Sequence, residues 1–213
     1  MTTVYGIPLS PFARKVILAL EAKGIEYTVN PVTPMDKPEG FEEISPLGKI
    51  PAIKDDMVTL ADSSVICEYL DQRYPETPIY PEGLLERTRA RWLEEYADTA
   101  VIGVAGPIFF ERVVKTKLMG QEADEARVQE VISEEMPKVY GYLNDQLGDT
   151  GFLAGDSLTA ADFSVGSSLI NAMYAGVDVD AAQWPKLAAY KDRLFATELF
   201  SHRLAADKAM MTV

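Results

Sequence analysis

Thr3-Val4-Tyr5-Gly6-Ile7-Pro8-Leu9-Ser10-Pro11-Phe12-Ala13-Arg14 is the stretch on which the fold turns. Its first five residues are short, β-branched and stopped by Pro8, which reads as a strand. Behind them Phe12, Val16, Ile17 and Leu20 recur at helical spacing, Lys23 falls in the last turn and Gly24 stands where a C-cap is expected. Ser10 and Pro11 sit at the join, a favoured N-cap followed by a favoured first helical residue. Tyr27-Thr28-Val29 then reads as a second strand. Two short apolar pieces between Ala52 and Leu60 flank Asp55-Asp56, which suits a hairpin. Ile66, Tyr69 and Leu70 mark a helix from Ser63 to Arg73, so the order is βαβ and then ββα.

Tyr74-Pro75-Glu76-Thr77-Pro78-Ile79-Tyr80-Pro81-Glu82-Gly83 follows, with three prolines that oppose both helix and ladder pairing. We place the domain boundary here: residues 1–77 form an α/β domain, 78–84 a linker and 85–213 a second domain. Beyond the linker, strand signals vanish. Helical patterns start at Leu84, near Glu122, at Ala160 and at Pro185, so the second domain is expected to be an all-α bundle. Pro107 and Pro137 lie inside helical stretches and should kink or break them.

Composition narrows the function. The chain has 213 residues, 20 basic against 33 acidic, a net charge of −13 that would repel a phosphate backbone. With no basic run to offset it, nucleic acid is not expected as a partner. The N-terminus lacks the basic start and apolar stretch of a signal peptide. The longest apolar run, residues 99–110, falls short of the roughly 20 residues a membrane helix needs. Cys67 is the only cysteine, so no intrachain disulfide forms, which fits a reducing, cytoplasmic setting. His202 is the only histidine. Unless it serves, a Ser-His-Asp triad is excluded, and no Cys/His cluster exists for zinc; we expect no metal and a surface position for His202.

Three spots are candidates for chemistry. The Ser10 hydroxyl at a helix N-terminus either satisfies a backbone N–H or, aided by the helix dipole, holds an anion such as a thiolate. Gly48-Lys49-Ile50-Pro51-Ala52 places a proline where a loop enters a strand. A cis peptide there would leave the Ile50 backbone available to an extended peptide added as a strand, whereas a trans proline would simply begin an edge strand. Asp62-Ser63-Ser64 precedes the helix that ends at Arg73; it is a capping composition, and also one able to hold a carboxylate and an ammonium group.

The order and spacing of Ser10-Pro11-Phe12-Ala13-Arg14, Gly48-Lys49-Ile50-Pro51, Leu60-Ala61-Asp62-Ser63-Ser64-Val65-Ile66 and Gly155-Asp156-Ser157-Leu158-Thr159-Ala160-Ala161-Asp162-Phe163 resemble the cytosolic glutathione transferases. The four residues from Ser10 to Arg14 resemble the serine-type theta and delta classes, in a bacterial member. The resemblance implies a thioredoxin-like N-terminal domain, an all-α C-terminal domain, a homodimer and glutathione as co-substrate. It implies that Ile50 before a cis-Pro51 pairs with the cysteinyl unit, that Asp62 and Ser63 hold the γ-glutamyl end, and that Lys49 reaches the glycine carboxylate. Ser10 would serve at the sulfur. Tyr5 is a rival, since other classes use tyrosine, but it falls inside the expected strand rather than at its end. Thr159 and Asp162 have capping-box spacing, a folding device in the family.

On that resemblance the chemistry is thiol activation. A free thiol has a pKa near about 8.5, and a hydroxyl donor with a helix dipole favours its thiolate without a protein base. The implied activity is transfer of glutathione to a small hydrophobic electrophile, a detoxification reaction, with Phe12, Phe109 and Arg112 as candidates for the electrophile's wall. Rival readings are a specialised glutathione-dependent lyase, dehalogenase or isomerase on the same fold, and a non-catalytic interaction protein. Cys67 lies within its helix and is expected to be a buried apolar filler, which disfavours disulfide chemistry.

Overall fold

The computed structural model describes residues 1–211, and its chain divides into two compact units. The first comprises Met1–Glu82 together with the C-terminal segment from Thr197. It contains β1 (Thr2–Tyr5), α1 (Pro11–Ala22), β2 (Tyr27–Asn30), a 3-10 turn (Phe41–Glu43), β3 (Ala52–Lys54), β4 (Thr59–Ala61) and α2 (Ser63–Arg73). The strands form one sheet in the order β2-β1-β3-β4, with β1 parallel to β2 and antiparallel to β3, and β3 antiparallel to β4. This is the βαβ and then ββα order expected, in the thioredoxin-like arrangement that the resemblance implies. Val4, Ala52 and Ile53 from the sheet and Val16, Ile17, Leu20, Ile66 and Leu70 from α1 and α2 are fully buried. Burial of such side chains supplies most of the favourable free energy of the unit, at roughly 25 cal/mol per Å² of apolar surface.

Local signals behave as their chemistry dictates. α1 stops at Lys23 because Gly24 takes the left-handed conformation (φ +66), with the Gly24 N–H donating to Glu21 and the Ile25 N–H to Leu20. Those two bonds close a Schellman motif. β1 is shorter than expected: pairing ends at Tyr5, and Gly6 leaves the strand with φ +149. Tyr5 therefore stands at the end of its strand, contrary to the sequence-based placement inside it. The hairpin turns where Asp55 stands, its Oδ1 accepting from the N–H groups of Met57 (2.8 Å) and Val58 (2.9 Å). Cys67 is buried in α2 and His202 is exposed.

The segment after α2 carries neither helix nor strand through Gly83, yet it is tied down. Ile79 and Tyr80 are buried, the Asp71 carboxylate accepts the Ile79 N–H at 2.8 Å, and Lys23 Nζ donates to the carbonyls of Tyr74 and Thr77. The last helix, α9 (Glu198–Met211), also belongs to the first unit, whereas the sequence-based division placed it with residues 85–213. Its attachment is ionic: Asp207 and Arg14 are both fully buried and meet at 2.8 Å.

The second unit, Gly83–Ala196, is helical: α3 (Leu84–Tyr96), α4 (Ile102–Phe109), α5 (Glu125–Glu130), α6 (Met136–Gln146), α7 (Ala160–Tyr174) and α8 (Pro185–Phe195). α7 is its central helix, buried continuously from Ala160 to Ala172. Small residues Gly166, Ser167 and Ser168 let neighbours approach it. Asp162 accepts the N–H and hydroxyl of Thr159 (both 2.8 Å), the Leu153 N–H (3.1 Å) and the Tyr190 hydroxyl (2.8 Å). The capping-box pair thus also fastens the preceding loop and α8.

The prolines act differently from a simple break. π-helical segments at Ala97–Val101 and Phe110–Leu118 flank α4, and the backbone stays helical through Pro107. A third, Val131–Glu135, precedes Pro137, which becomes the second residue of α6, where a missing N–H costs little. The wider turns absorb residues that a regular ladder would not accommodate.

Candidate functional site

Sheet register gathers the three candidate junctions. Tyr5 pairs with Ala52, and Ala52 pairs with Ala61. The loop leaving β1 toward Ser10, the approach to β3 through Ile50 and Pro51, and the exit from β4 into Asp62 and Ser63 consequently lie at one end of the sheet. Gly6 makes the closeness possible: a Cβ there would stand 3.3 Å from the Ala13 Cβ and 3.4 Å from the Ile50 Cβ. Lys15, buried in α1, donates from Nζ to the Ser64 Oγ at 3.0 Å and so ties the first turn of α2 to α1.

Ser10 is the N-cap of α1, in extended backbone conformation, and its Oγ accepts the Ala13 N–H at a long 3.4 Å. The cap occupies a lone pair and leaves the hydroxyl proton free to donate elsewhere, so capping and thiol binding are compatible. Ile50–Pro51 is a cis peptide. Lys49 is fixed by its backbone, its N–H donating to and its carbonyl accepting from the buried Ser45 hydroxyl at 3.1 and 2.7 Å. Its side chain is exposed. The Ile50 backbone N–H and carbonyl carry no hydrogen bond among the described residues, because strand pairing begins at Ala52.

Asp62 caps α2, its Oδ1 accepting from Ser64 N–H (3.0 Å) and Val65 N–H (3.2 Å). Its φ of 79° is the one left-handed value at a non-glycine residue among those described. Such a conformation costs about 1–3 kcal/mol and is typical of ligand-holding turns. Ser63, the first residue of α2, is 5% exposed, and its hydroxyl has no partner among the described residues. A hydroxyl and helix N–H groups at such an end suit a carboxylate.

The remaining candidates lie as follows. The Tyr5 ring packs 6.4 Å from that of Phe41. Phe12 is half-buried in the first turn of α1. Phe109, in the second unit, ends α4 and is 8% exposed. Arg112, in the same unit, donates to both Glu125 oxygens (3.0 and 2.8 Å) and to the Ala175 carbonyl (3.1 Å). Glu125 holds the guanidinium firmly charged, so only the stem of Arg112 is uncommitted. Sequence reasoning passed over Gly6, Lys15 and the Arg14–Asp207 pair. Gly6 had a local signal, a glycine between a strand end and a proline. The other two are long-range contacts with none.

Among the described residues no three His, Cys, Asp or Glu side chains cluster to hold a metal, and no helix is long and apolar enough to cross a membrane.

Comparison with known proteins agrees with this geometry. The family profile described as "Glutathione S-transferase, N-terminal domain" matches residues 4–78, and "Glutathione S-transferase, C-terminal domain" matches residues 109–199. The chain is 30% identical over 162 residues to mouse (Mus musculus) glutathione S-transferase omega-1, spanning 75% of this chain and 62% of that protein. It is 32% identical over 164 residues to maize (Zea mays) glutathione S-transferase 3, spanning 75% of this chain and 72% of the maize protein. The crystal structure of a glutathione S-transferase from Rhodospirillum rubrum F11 superposes with a TM-score of 0.83 at 27% identity, covering 94% of this chain and 90% of that one. Two profile matches, the maize relative and the shared fold together establish that the chain belongs to the glutathione S-transferase family.

Proposed function

We propose that this protein is a glutathione transferase that uses Ser10 to favour the glutathione thiolate for attack on a small hydrophobic electrophile. The observation that carries the reading is the register Tyr5–Ala52–Ala61, which aligns the Ser10, Ile50–Pro51 and Asp62–Ser63 junctions at one sheet end. The unpaired Ile50 backbone suits strand-like pairing with the cysteinyl unit. The Ser63 hydroxyl and the first turn of α2 suit the γ-glutamyl carboxylate, Asp62 suits its ammonium group, and the exposed Lys49 suits the glycine carboxylate. Glutathione supplies the nucleophilic sulfur. Ser10 donates its proton in a hydrogen bond to that sulfur while continuing to accept from Ala13, and the thiol proton passes to solvent water rather than to a protein base. The electrophile's chemistry belongs to the same proposal, as do a serine-type theta or delta affinity, a homodimer and a cytoplasmic, detoxifying role.

Calorimetric titration with glutathione tests binding, and the ultraviolet absorbance of the bound thiolate against pH tests activation. A hydrogen bond to a charged group is worth about 1.5–3 kcal/mol, so Ser10→Ala should raise the bound thiol pKa by roughly 1–2 units. The melting temperature should barely move, since the lost cap bond is 3.4 Å long. An unchanged thiol pKa and turnover would reduce Ser10 to a cap. Turnover with a panel of aryl halides, epoxides and isothiocyanates separates a transferase from the specialised readings. Absence of glutathione binding at millimolar concentration favours a non-catalytic interaction protein.

A further inference from the structure

α9 carries two charged side chains that the proposed reaction does not use, and both are buried against α1. Arg203 is 6% exposed and Asp207 0%. Asp207 Oδ2 accepts from Arg14 Nε at 2.8 Å, and Asp207 Oδ1 accepts from Arg203 Nε at 2.9 Å. Arg203 in turn reaches Glu21 Oε1 at 3.3 Å, an oxygen that also accepts the Tyr27 hydroxyl at 2.7 Å. Among the described residues Asp207 faces Arg14 from α1 and Arg203 from its own helix, with Glu21 and Tyr27 behind Arg203. Arg14 stands in the first turn of α1 and Glu21 in the last, about two turns apart on one face. α9 thus grips α1 at both ends.

A buried ionic set of this kind is weak evidence for stability, because apolar packing serves as well or better; what it specifies is register. Register has a consequence here. The Arg14 N–H donates to the Ser10 carbonyl at 2.8 Å, so the residue anchored to α9 by its side chain is the one whose backbone closes the first turn on Ser10. Ile50, Asp62 and Ser63 belong to other elements, ordered by the sheet register, with one side-chain tie to α1 at Lys15–Ser64. A slide or rotation of α1 by about 1 Å would displace the Ser10 hydroxyl from them, a misplacement that can cost on the order of 100-fold in rate.

We propose that Asp207 is a positioning residue for thiol activation: through Arg14 it fixes the first turn of α1 and with it the Ser10 hydroxyl. This inference rests on the reading of Ser10 as the thiol's hydrogen-bond donor. The test uses the full chain and Asp207→Asn, which keeps size and removes charge. The expected result is a bound-thiol pKa higher by about one unit, equivalent to a tenfold weaker preference for the thiolate. With an activated aryl halide kcat should fall roughly 10-fold, while KM for glutathione changes by less than about 3-fold, because the peptide contacts lie elsewhere. A variant with a lower melting temperature but wild-type thiol pKa and kcat would overturn the proposal. Should Asp207→Asn not fold, Arg14→Lys keeps the charge while losing the Nε bond to Asp207, and an unchanged thiol pKa in it overturns the proposal equally. The wild type separates the two ideas. If it fails to bind glutathione or to lower the thiol pKa, the Ser10 reading falls and this inference with it; if it does both and the variants match it, only the role of Asp207 falls.

Discussion

Replacing Asp162 by asparagine should cost the protein about 3 kcal/mol, and the arrangement around that carboxylate says why. All four neighbours are donors: Leu153 N–H and Tyr190 OH on Oδ1, Thr159 N–H and Thr159 OH on Oδ2. Asp162 is fully buried, so no water relieves a mismatch. In Asp162→Asn one oxygen becomes an NH2 group facing one backbone N–H and one hydroxyl. The hydroxyl can turn and accept, whereas the backbone N–H cannot. One buried N–H is orphaned at about 1–3 kcal/mol, and the bonds left on the other oxygen lose their charge assistance, about 1 kcal/mol more. Against a total stability of about 5–15 kcal/mol that is a large fraction. Urea unfolding followed by far-ultraviolet circular dichroism should show the midpoint falling by roughly 1 M, given a slope of about 3 kcal/mol/M. Asp149→Asn, at an exposed position, is the control and should leave the midpoint in place. Tyr190→Phe should cost about 1 kcal/mol in the wild type and less in the Asp162→Asn background, where its hydroxyl has turned or lost its partner. A loss below about 1 kcal/mol for Asp162→Asn, or full additivity with Tyr190→Phe, would refute the reasoning.

Two further outcomes are expected. Gly6→Ala introduces a Cβ 3.3 Å from Ala13 and 3.4 Å from Ile50 at a φ of +149°, and should destabilise by about 1–3 kcal/mol while weakening glutathione binding in calorimetry. Gly24→Ala, at φ +66 with nothing within 4 Å, should cost stability alone, and equal glutathione affinity in the two variants would contradict the role given to Gly6. Asp55 supplies the pH dependence. Burial opposes its ionisation, but the Tyr69 hydroxyl, the Met57 and Val58 N–H groups and Arg73 outweigh that and hold its carboxyl below the usual range. A folded-state value below the unfolded one means stability that is fully present above the unfolded pKa, about 4, and lost as pH falls through the folded value. Acid titration of the melting temperature should therefore show a shallower fall in Asp55→Asn than in the wild type.

Local chemistry made much of the first unit legible. A β-branched run before a proline, apolar residues at helical spacing and a glycine at the C-cap position each act within a few residues, so the strand-helix-strand order and the caps at Ser10, Asp62 and Thr159 could be read without coordinates. The end of β1 could not. Whether pairing stops at Tyr5 or Ile7 depends on which residues the partner strands offer, and β2 and β3 both run out opposite Tyr5 or just beyond it. The π-helical turns around Pro107 and before Pro137 were hidden for a related reason: hydrogen-bond register along a helix is chosen by what the helix packs against, and the periodicity of a dozen residues does not reveal a single extra one.

The same division runs through the candidate site. Ser10, Ile50–Pro51 and Asp62–Ser63 were recognisable by residue type and spacing, because each is a junction whose chemistry is local. Their convergence was settled by strand register, in which Ala52 pairs with both Tyr5 and Ala61. The placement of the last helix was likewise beyond the sequence: Arg14 and Asp207 lie 193 residues apart, and an arginine and an aspartate at that separation carry no mark of partnership. Only burial distinguishes them, since two charges withdrawn from water must find each other, and which two are withdrawn is a property of the folded chain.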